Sequence, residues 1–241
     1  MDRIDRLTIT EKGPHNFVST ADTLSEQAII EVLQQYYPKV KILTEESGVI
    51  EGSDPDYHWV LDPLDGTSNY LRQIPHFAIS LALIKHGKPL IAVVYDPVRD
   101  EMFTALRGNG AYFNSQRIRV DNTVSIERSY IGLGGPKYHS PDHRPAYHKM
   151  ATSIMDKSLS TRRLGSAALD LCYVAAGRLD GYWGVSLQEW DIAAANLIIK
   201  EAGGLITNFS GAPYRDGEIG MLAASSKILH ELVAICGALD E

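Results

Sequence analysis

The sequence predicts a mixed α and β fold, with an α+β half followed by an α/β half. Short β-type segments alternate with turn residues between positions 77 and 120, which is typical of an antiparallel meander. From about residue 125, strand-like and helix-like patterns alternate instead. The chain has 241 residues, of which 44% are hydrophobic, enough for one large core or two closely packed subdomains.

The first half opens with a polar segment that leads into a helix, predicted over residues 22–37. Apolar residues recur there at helical spacing, and Pro38 ends the pattern. Asp22 is expected to cap this helix, and Thr23 with Glu26 fits a capping box.

The remaining elements follow from period-two and helical patterns bounded by Gly, Pro, Asn and Asp. The pattern changes near residue 122, where no linker is seen. We therefore predict two tightly packed subdomains, 1–122 and 123–241. The predicted strands cover residues 17–20, 40–43, 57–61, 77–85, 90–95, 101–106, 111–113, 117–120, 128–133, 179–184, 205–209 and 221–225, with a loop at 48–56 and later helices at 145–157, 166–176, 191–202 and 227–239.

Charge and cysteine content narrow the functional classes. A net charge of -7 argues against a nucleic-acid backbone as the main partner, but not against a phosphorylated substrate bound through a metal. Two cysteines, Cys172 and Cys236, are too few for a disulfide framework, and Cys172 is expected in the core. No apolar run approaches the roughly 20 residues of a membrane span. We expect a cytoplasmic protein with neither a nucleic-acid nor a membrane partner.

The segment Asp62-Pro63-Leu64-Asp65-Gly66-Thr67 carries the strongest chemical signal. Proline fixes a turn, so that both carboxylates can face one cation, and the Leu64 carbonyl lies between them as a further oxygen donor. Ligands that are all oxygen favour Mg²⁺ or Mn²⁺ over zinc. Gly66 and Thr67 then present backbone N–H groups at a predicted helix start, which favours a bound anion. An Asp-Pro turn followed by a helix cap is the alternative interpretation.

Two other acidic sites are ambiguous by themselves. Adjacent acids such as Glu45-Glu46 are usually a solvated strand end, and Asp191 fits the first turn of a helix without any further role. The residues that follow Asp191 are small and apolar, however. An acid that starts so apolar a helix needs a partner, which a metal would supply.

Taken together, these motifs resemble the paired signatures of the inositol monophosphatase family. The resemblance rests on Glu45-Glu46-Ser47, on the segment from Trp59 to Asn69, and on Trp190-Asp191-Ile192-Ala193-Ala194 with the later Glu201-Ala202-Gly203-Gly204. It covers the chain from about Lys12 onwards. It implies a layered αβαβα sandwich of the inositol monophosphatase and fructose-1,6-bisphosphatase type. Only eleven residues precede Lys12, so the family's first helix is expected to be short or missing.

The resemblance also implies residue roles and a cofactor. Two or three Mg²⁺ ions are expected, with Mn²⁺ as a substitute, together with lithium sensitivity, a small phosphorylated substrate and a homodimer. The implied metal ligands are Glu45, Asp62, the Leu64 carbonyl, Asp65 and Asp191. The implied catalytic residues are Thr67, Asp22, Glu45 and Asp65, of which Thr67 and Asp22 activate the attacking water. Phosphate is assigned to Gly66 and Thr67, and the substrate's alcohol portion to Asp65, Gly165, Ser166, Ala167 and Asp191.

The expected activity is Mg²⁺-dependent hydrolysis of a small sugar or polyol phosphate, with myo-inositol monophosphate as the first candidate. The resemblance aligns Gly184 with a glutamate that contacts inositol in animal relatives, and Gln188 and Glu189 are nearby polar candidates for reading the substrate. Alternatives are a fructose-1,6-bisphosphatase, a broad sugar phosphatase or a phosphoadenosine-phosphate phosphatase. Arg162 and Arg163 would meet a second phosphate in such cases, although a solvated loop is the simpler interpretation. A rival from another class is a non-catalytic regulatory protein.

Overall fold

Two β-sheets organise the computed structural model, which describes residues 9–13, 16–123, 125–135 and 144–237. The strands are β1 (Ile9–Gly13), β2 (Asn16–Ser19), β3 (Lys41–Thr44), β4 (Gly48–Ile50), β5 (Tyr57–Asp65), β6 (Ala78–Lys85), β7 (Lys88–Asp96), β8 (Glu101–Leu106), β9 (Gly110–Phe113), β10 (Gln116–Ile118), β11 (Tyr130–Gly134), β12 (Ser160–Arg162), β13 (Gly181–Val185), β14 (Leu205–Thr207) and β15 (Gly220–Ala224). The α-helices are α1 (Thr20–Tyr36), α2 (Thr67–Leu71), α3 (Arg144–Lys157), α4 (Ala167–Ala175), α5 (Glu189–Glu201) and α6 (Ser226–Gly237).

The two large sheets come from different halves of the chain. The first has the strand order β10-β9-β8-β7-β6-β5-β3-β4, and the second has the order β12-β11-β13-β15-β14. The predicted meander is confirmed, because β5 to β10 pair antiparallel in sequence order. In the second sheet β11 is parallel to both β12 and β13, as expected where helices connect strands. The subdomain boundary near residue 122 stays a prediction.

The helices form three layers around these sheets. Neighbouring side chains of β5 show the arrangement: Trp59 packs with Leu33 of α1 on one face, whereas Val60 belongs to the core shared with α4 and α5 on the other. In the second sheet Tyr182 faces that central core and Trp183 faces α3 and α6. Helices α4 and α5 are buried on nearly all sides, as expected of apolar helices between two sheets. The layered αβαβα sandwich is thus confirmed.

The start of α1 corrects one sequence prediction. The helix begins at Thr20, and its N-cap is Ser19, whose side chain accepts a hydrogen bond from Ala21 N. Asp22 is the N3 residue of that capping box, and its carboxylate accepts from the Ser19 backbone N–H. Glu26 takes no part in the cap. The capping pattern in the sequence was therefore placed three residues too late.

Three strands were missed. Strand β1 pairs antiparallel with β2 in the polar segment that precedes α1. Strand β4 pairs with β3 where a loop was predicted, and β12 lies at the edge of the second sheet beside β11. Strands β4 and β12 have three residues each, too few to display a period of two, and only pairing with a neighbour defines them. Cys172 is buried in the core, as expected. Among the described helices, none has both the length and the apolar character that crossing a bilayer requires.

Candidate active site

Asp62 and Asp65 lie three positions apart on β5, and a β-bulge directs them to one side of the strand. Asp62 pairs with Ser80 and Asp65 with Ala78, so three steps along β5 match two steps along β6. In a regular strand, residues three apart point to opposite faces, and the extra residue cancels that reversal. Pro63 lies inside the bulge, where its missing N–H costs no ladder hydrogen bond.

Asp191 joins these two acids in a compact group. One carboxylate oxygen from each of Asp62, Asp65 and Asp191 lies within 4.8 Å of the other two. Burial, followed by the charges of Asp65, Glu45 and Asp191, raises the pKa of Asp62 well above its ordinary value. Three anionic carboxylates this close repel one another strongly, so the group needs either protons or a cation.

The donor set fits a hard divalent cation. Asp62 Oδ1 accepts a hydrogen bond from Leu64 N at 2.9 Å, whereas Asp62 Oδ2 is buried and receives no hydrogen bond from any described residue. A buried carboxylate oxygen that receives no hydrogen bond destabilises the folded state unless a cation lies next to it. Oxygen-only ligation at this spacing suits Mg²⁺ or Mn²⁺.

Glu45 approaches the same cavity from another strand pair. Thr44 pairs with Gly48, so Glu45 begins the three-residue turn that joins β3 to β4. Glu45 lines the cavity together with the three aspartates, and its charge contributes to the raised pKa of Asp62. It is not a member of the close aspartate group. The local sequence pattern left Glu45 as a solvated strand end, the family resemblance assigned it to the metal site, and the fold places it in the cavity.

Asp191 is held by the start of α5. It is the third residue of this helix, and its Oδ2 accepts a hydrogen bond from Gln188 N at 2.8 Å. The acid is 5% exposed, and the residues that follow it are buried. A first-turn acid was predicted here, and the structure adds that the same carboxylate points into the acidic group.

Asp65 is held by the second half of the chain. Its Oδ2 accepts hydrogen bonds from the Ser166 hydroxyl and, at 2.8 Å, from Ala168 N, both at the start of α4. Ser166 also caps that helix, because its oxygen accepts from Leu169 N. The segment predicted to touch the substrate's alcohol portion therefore orients a predicted metal ligand as well.

Thr67 follows the bulge at the start of α2 and contacts α1. Its hydroxyl lies 2.9 Å from Asp22 Oδ1 and 3.1 Å from the Leu64 carbonyl oxygen. Asp22 is 1% exposed, and its other oxygen accepts from both the backbone N–H and the hydroxyl of Ser19. The expected pair of Thr67 and Asp22 is thus brought into contact.

Two turns at the site require glycine. Gly66 has φ +93°, and a Cβ there would lie 3.1 Å from the His76 carbonyl oxygen. Gly165 has φ +94°, and a Cβ there would lie 2.9 Å from Asn69 Nδ2. L-residues rarely adopt such φ values, and in both turns the backbone approaches a neighbour too closely for a side chain.

A cavity of about 470 Å³ connects these groups. Gly184, where a substrate-reading glutamate was missing, does not line it: a Cβ at Gly184 would lie 2.7 Å from the Tyr182 ring. Gln188 and Glu189 do not line it either, and Glu189 lies 3.9 Å from His58 instead. The residues that do line it include Tyr182, Ser186, Leu187, Arg72 and Arg163. Arg162, by contrast, lies over the Tyr130 ring.

Sequence reasoning missed three supporting groups. Glu26 accepts four hydrogen bonds from the segment around Glu45. Asn69 Nδ2 donates to the carbonyl oxygens of His76 and Leu164, which ties the two halves together. His76 Nε2 lies 2.9 Å from Asp170 Oδ1, and both side chains are buried. Only an unusually apolar setting around a polar residue could have signalled them, as for Asp170 within α4.

Comparison with known proteins agrees with this geometry. A sequence model of the inositol monophosphatase family matches residues 2–237. The Nus factor SuhB of Pasteurella multocida is 44% identical over 232 residues, covering 96% of this chain and 86% of the relative. The Nus factor SuhB of Pseudomonas aeruginosa is 44% identical over 215 residues, covering 88% and 79%.

Solved structures give the same assignment. The extragenic suppressor protein suhB from Bartonella henselae superposes with a TM-score of 0.93 at 40% identity, covering 98% of this chain and 90% of that one. The Thermotoga maritima IMPase superposes with a TM-score of 0.89 at 32% identity, covering 100% and 91%. The chain therefore belongs to the inositol monophosphatase family.

Proposed function

We propose that this protein is a Mg²⁺-dependent phosphomonoesterase that releases inorganic phosphate from a small sugar or polyol phosphate. The first substrate to test is myo-inositol monophosphate. The observation that carries the proposal is the buried group of Asp62, Asp65 and Asp191, whose oxygens converge within 4.8 Å beside a cavity large enough for a sugar phosphate. Such a group is costly to keep without a cation.

Asp62, Asp65, Asp191, Glu45 and the Leu64 carbonyl would hold the metal ions. Bound Mg²⁺ supplies charge neutralisation for the phosphoryl group and lowers the pKa of water. The protein's own part is to place the substrate against that water. The bulge in β5 and the hydrogen bonds from Ser166 and Ala168 to Asp65 fix the direction of the carboxylates.

Thr67 and Asp22 would orient the attacking water. A hydroxyl has one proton to donate, and the carboxylate of Asp22 is the closer and more strongly charged acceptor. When Thr67 donates to Asp22, its oxygen lone pairs remain to accept a hydrogen bond from water. The water's own lone pair is then directed at phosphorus, with the phosphate held at Gly66 and Thr67.

A second candidate is a sugar bisphosphate substrate. Arg72 follows α2 and Arg163 precedes α4, and both line the cavity. The hydrogen bond from Asn69 Nδ2 to the Leu164 carbonyl oxygen, 2.8 Å long, holds these two segments together. Two arginines that line one cavity favour a substrate with a second anionic group. Arg163→Gln should then lower kcat/KM for fructose 1,6-bisphosphate but not for inositol monophosphate, with the distant exposed Arg128→Gln as control.

A non-catalytic regulatory role is the candidate from another class. It is favoured by the names of the relatives from Pasteurella multocida and Pseudomonas aeruginosa, which are called Nus factors rather than phosphatases. The two classes differ in what Asp65→Asn would do. It would abolish phosphate release if the protein is an enzyme, and it would leave a purely regulatory function intact.

The deciding experiment is a phosphate-release assay on inositol monophosphate, fructose 1,6-bisphosphate and phosphoadenosine phosphate, with Mg²⁺ and with EDTA. We expect turnover with Mg²⁺ that disappears in EDTA and in Asp65→Asn. Asp156→Asn, an exposed acid on α3, serves as the matched control. Binding of Mg²⁺ without turnover of any substrate would favour the regulatory role. The homodimer stays a prediction, which light scattering would test.

A further inference from the structure

The face of α1 that points at the site presents three polar side chains at helical spacing. Asp22, Ser25 and Glu26 occupy positions i, i+3 and i+4, which lie on one side of a helix. Asp22 contacts Thr67, and the Ser25 hydroxyl donates to the Pro63 carbonyl oxygen at 2.8 Å. Glu26 reaches a third part of the site, the turn between β3 and β4.

Glu26 holds that turn through four hydrogen bonds. Its Oε1 accepts from the Thr44 hydroxyl at 2.5 Å, from Glu46 N at 3.2 Å and from Ser47 N at 3.1 Å. Its Oε2 accepts from the Ser47 hydroxyl at 2.6 Å. The donors stand on both sides of Glu45. The position of the Glu45 backbone is therefore fixed from outside the turn.

Burial of the Glu26 carboxylate makes these hydrogen bonds stronger than those of a turn at the protein surface. Glu26 is 1% exposed, and Thr44 is fully buried. Hydrogen bonds to a buried carboxylate are stronger than neutral ones, and removing the acceptor leaves the buried Thr44 hydroxyl unsatisfied, whereas Ser47 is exposed to water. A three-residue turn otherwise has few constraints of its own: the left-handed residue at this point, Gly48 with φ +73°, already belongs to β4.

We propose that Glu26 is a positioning residue for Glu45: through the Thr44–Ser47 turn it directs the Glu45 carboxylate towards the metal-binding aspartates. This inference rests on the proposed metal site. Glu26 does not line the cavity, and it acts only through the segment that carries Glu45. Groups that orient a metal ligand from behind typically change metal affinity by about 10–100-fold when they are removed.

The test uses the full chain and measures Mn²⁺ binding from the electron paramagnetic resonance signal of free Mn²⁺, which does not require activity. Glu26→Ala should weaken Mn²⁺ binding about tenfold. Glu26→Gln should stay close to wild type, because its amide oxygen can take the three bonds made to Oε1. Glu31→Ala, an exposed position on the same helix, is the matched control and should bind like wild type.

A double-mutant cycle separates positioning from general loosening of the fold. In Glu45→Ala, Glu26→Ala should cause no further loss of Mn²⁺ affinity, because the ligand that Glu26 directs is already gone. Additive losses, or unchanged binding in a folded Glu26→Ala variant, would overturn the inference. If wild type itself binds no Mn²⁺ and releases no phosphate, the proposed function fails instead.

Should Glu26→Ala not fold, Thr44→Val answers the same question. It is nearly isosteric and removes one of the four donors while leaving the carboxylate in place. We expect Mn²⁺ binding to be weakened by a smaller factor than tenfold, and again no further loss of affinity in the Glu45→Ala background. Wild-type binding in folded Thr44→Val would contradict the proposal.

Discussion

The Thr67 hydroxyl lies 2.9 Å from Asp22 Oδ1, although 45 positions of the chain separate the two residues. Ser19 donates two hydrogen bonds to the other oxygen of Asp22, and these bonds fix the orientation of the carboxylate, with Oδ1 towards Thr67. The same carboxylate thus completes the cap of α1 and orients a hydroxyl at the site. Asp22 therefore has both a structural role and a proposed catalytic role.

Removing this hydroxyl should slow phosphate release without loss of metal. Thr67→Val is expected to lower kcat by about 10²-fold, since a group that positions or deprotonates water contributes on that scale. Thr67→Ser should restore most of the rate. The matched control is Thr104→Val on β8, far from the cavity. Steady-state kcat and Mn²⁺ binding are the measurements, and a wild-type kcat in Thr67→Val would contradict the assigned role.

Asp62→Asn should stabilise the metal-free protein and abolish its activity. Burial and three neighbouring acids raise the pKa of Asp62, so the folded state binds a proton more tightly than the unfolded state does. The stability that this proton contributes is complete below the unfolded pKa of about 4 and is lost as pH rises through the folded pKa. An asparagine at this position does not ionise, so the variant loses no stability as the pH rises. Its amide oxygen can still accept the hydrogen bond from Leu64 N.

The measurement is the melting temperature against pH in EDTA. We expect the advantage of Asp62→Asn over wild type to grow from pH 4 upwards and to vanish when Mg²⁺ is added. Asp156→Asn should follow wild type at every pH. A variant less stable than wild type at pH 7 in EDTA would show that the acidic group is not strained.

The buried pair of His76 and Asp170 should couple strongly. Their side chains are 7% and 2% exposed at a separation of 2.9 Å, so loss of one partner leaves the other buried without its hydrogen bond. His76→Ala is expected to lower the free energy of unfolding by about 3 kcal/mol. Burial raises the pKa of Asp170, and the hydrogen bond from His76 partly offsets that rise. The pKa of Asp170 should therefore be higher still in His76→Ala.

The sign of the pH effect follows from that shift. A raised folded pKa contributes stability below the unfolded pKa, and this is lost as pH rises through the folded value. In urea unfolding, the free energy of unfolding of His76→Ala should therefore fall more between pH 4 and pH 7 than that of wild type. His86→Ala, which removes an exposed histidine 3.4 Å from Asp56, is the control. Identical pH dependence in both variants would refute the coupling.

The thiol of Cys172 should be inert in the folded protein. Burial, with a further contribution from Asp65, raises its pKa well above the ordinary value, and the side chain is fully buried. Only the thiolate reacts with alkylating agents. Iodoacetamide is expected to label Cys172 only after denaturation, as peptide mapping would show. Rapid labelling under native conditions would contradict this packing.

Much of the fold could be read from the sequence because its signals are local. The meander from β6 to β9 follows from alternating apolar residues and the turns between them, and α5 follows from its helical spacing. Strands β4 and β12 could not be read, because three residues carry no period, and the partner of β12 is also distant in the chain. The cap of α1 was placed late because Asp22 and Ser19 both suit a helix start.

The sequence by itself determined which residue types stand where: Asp62 and Asp65 beside a glycine turn, and Asp191 at the start of an apolar helix. Only the tertiary structure decided that they meet. The bulge in β5 turns two acids to one side, and the packing of α5 between the sheets adds the third. The link between Glu26 and the segment that carries Glu45 likewise could not be predicted from the sequence. Hydrogen bonds between residues about 20 positions apart depend on how a helix packs against a sheet, and no local pattern encodes that contact.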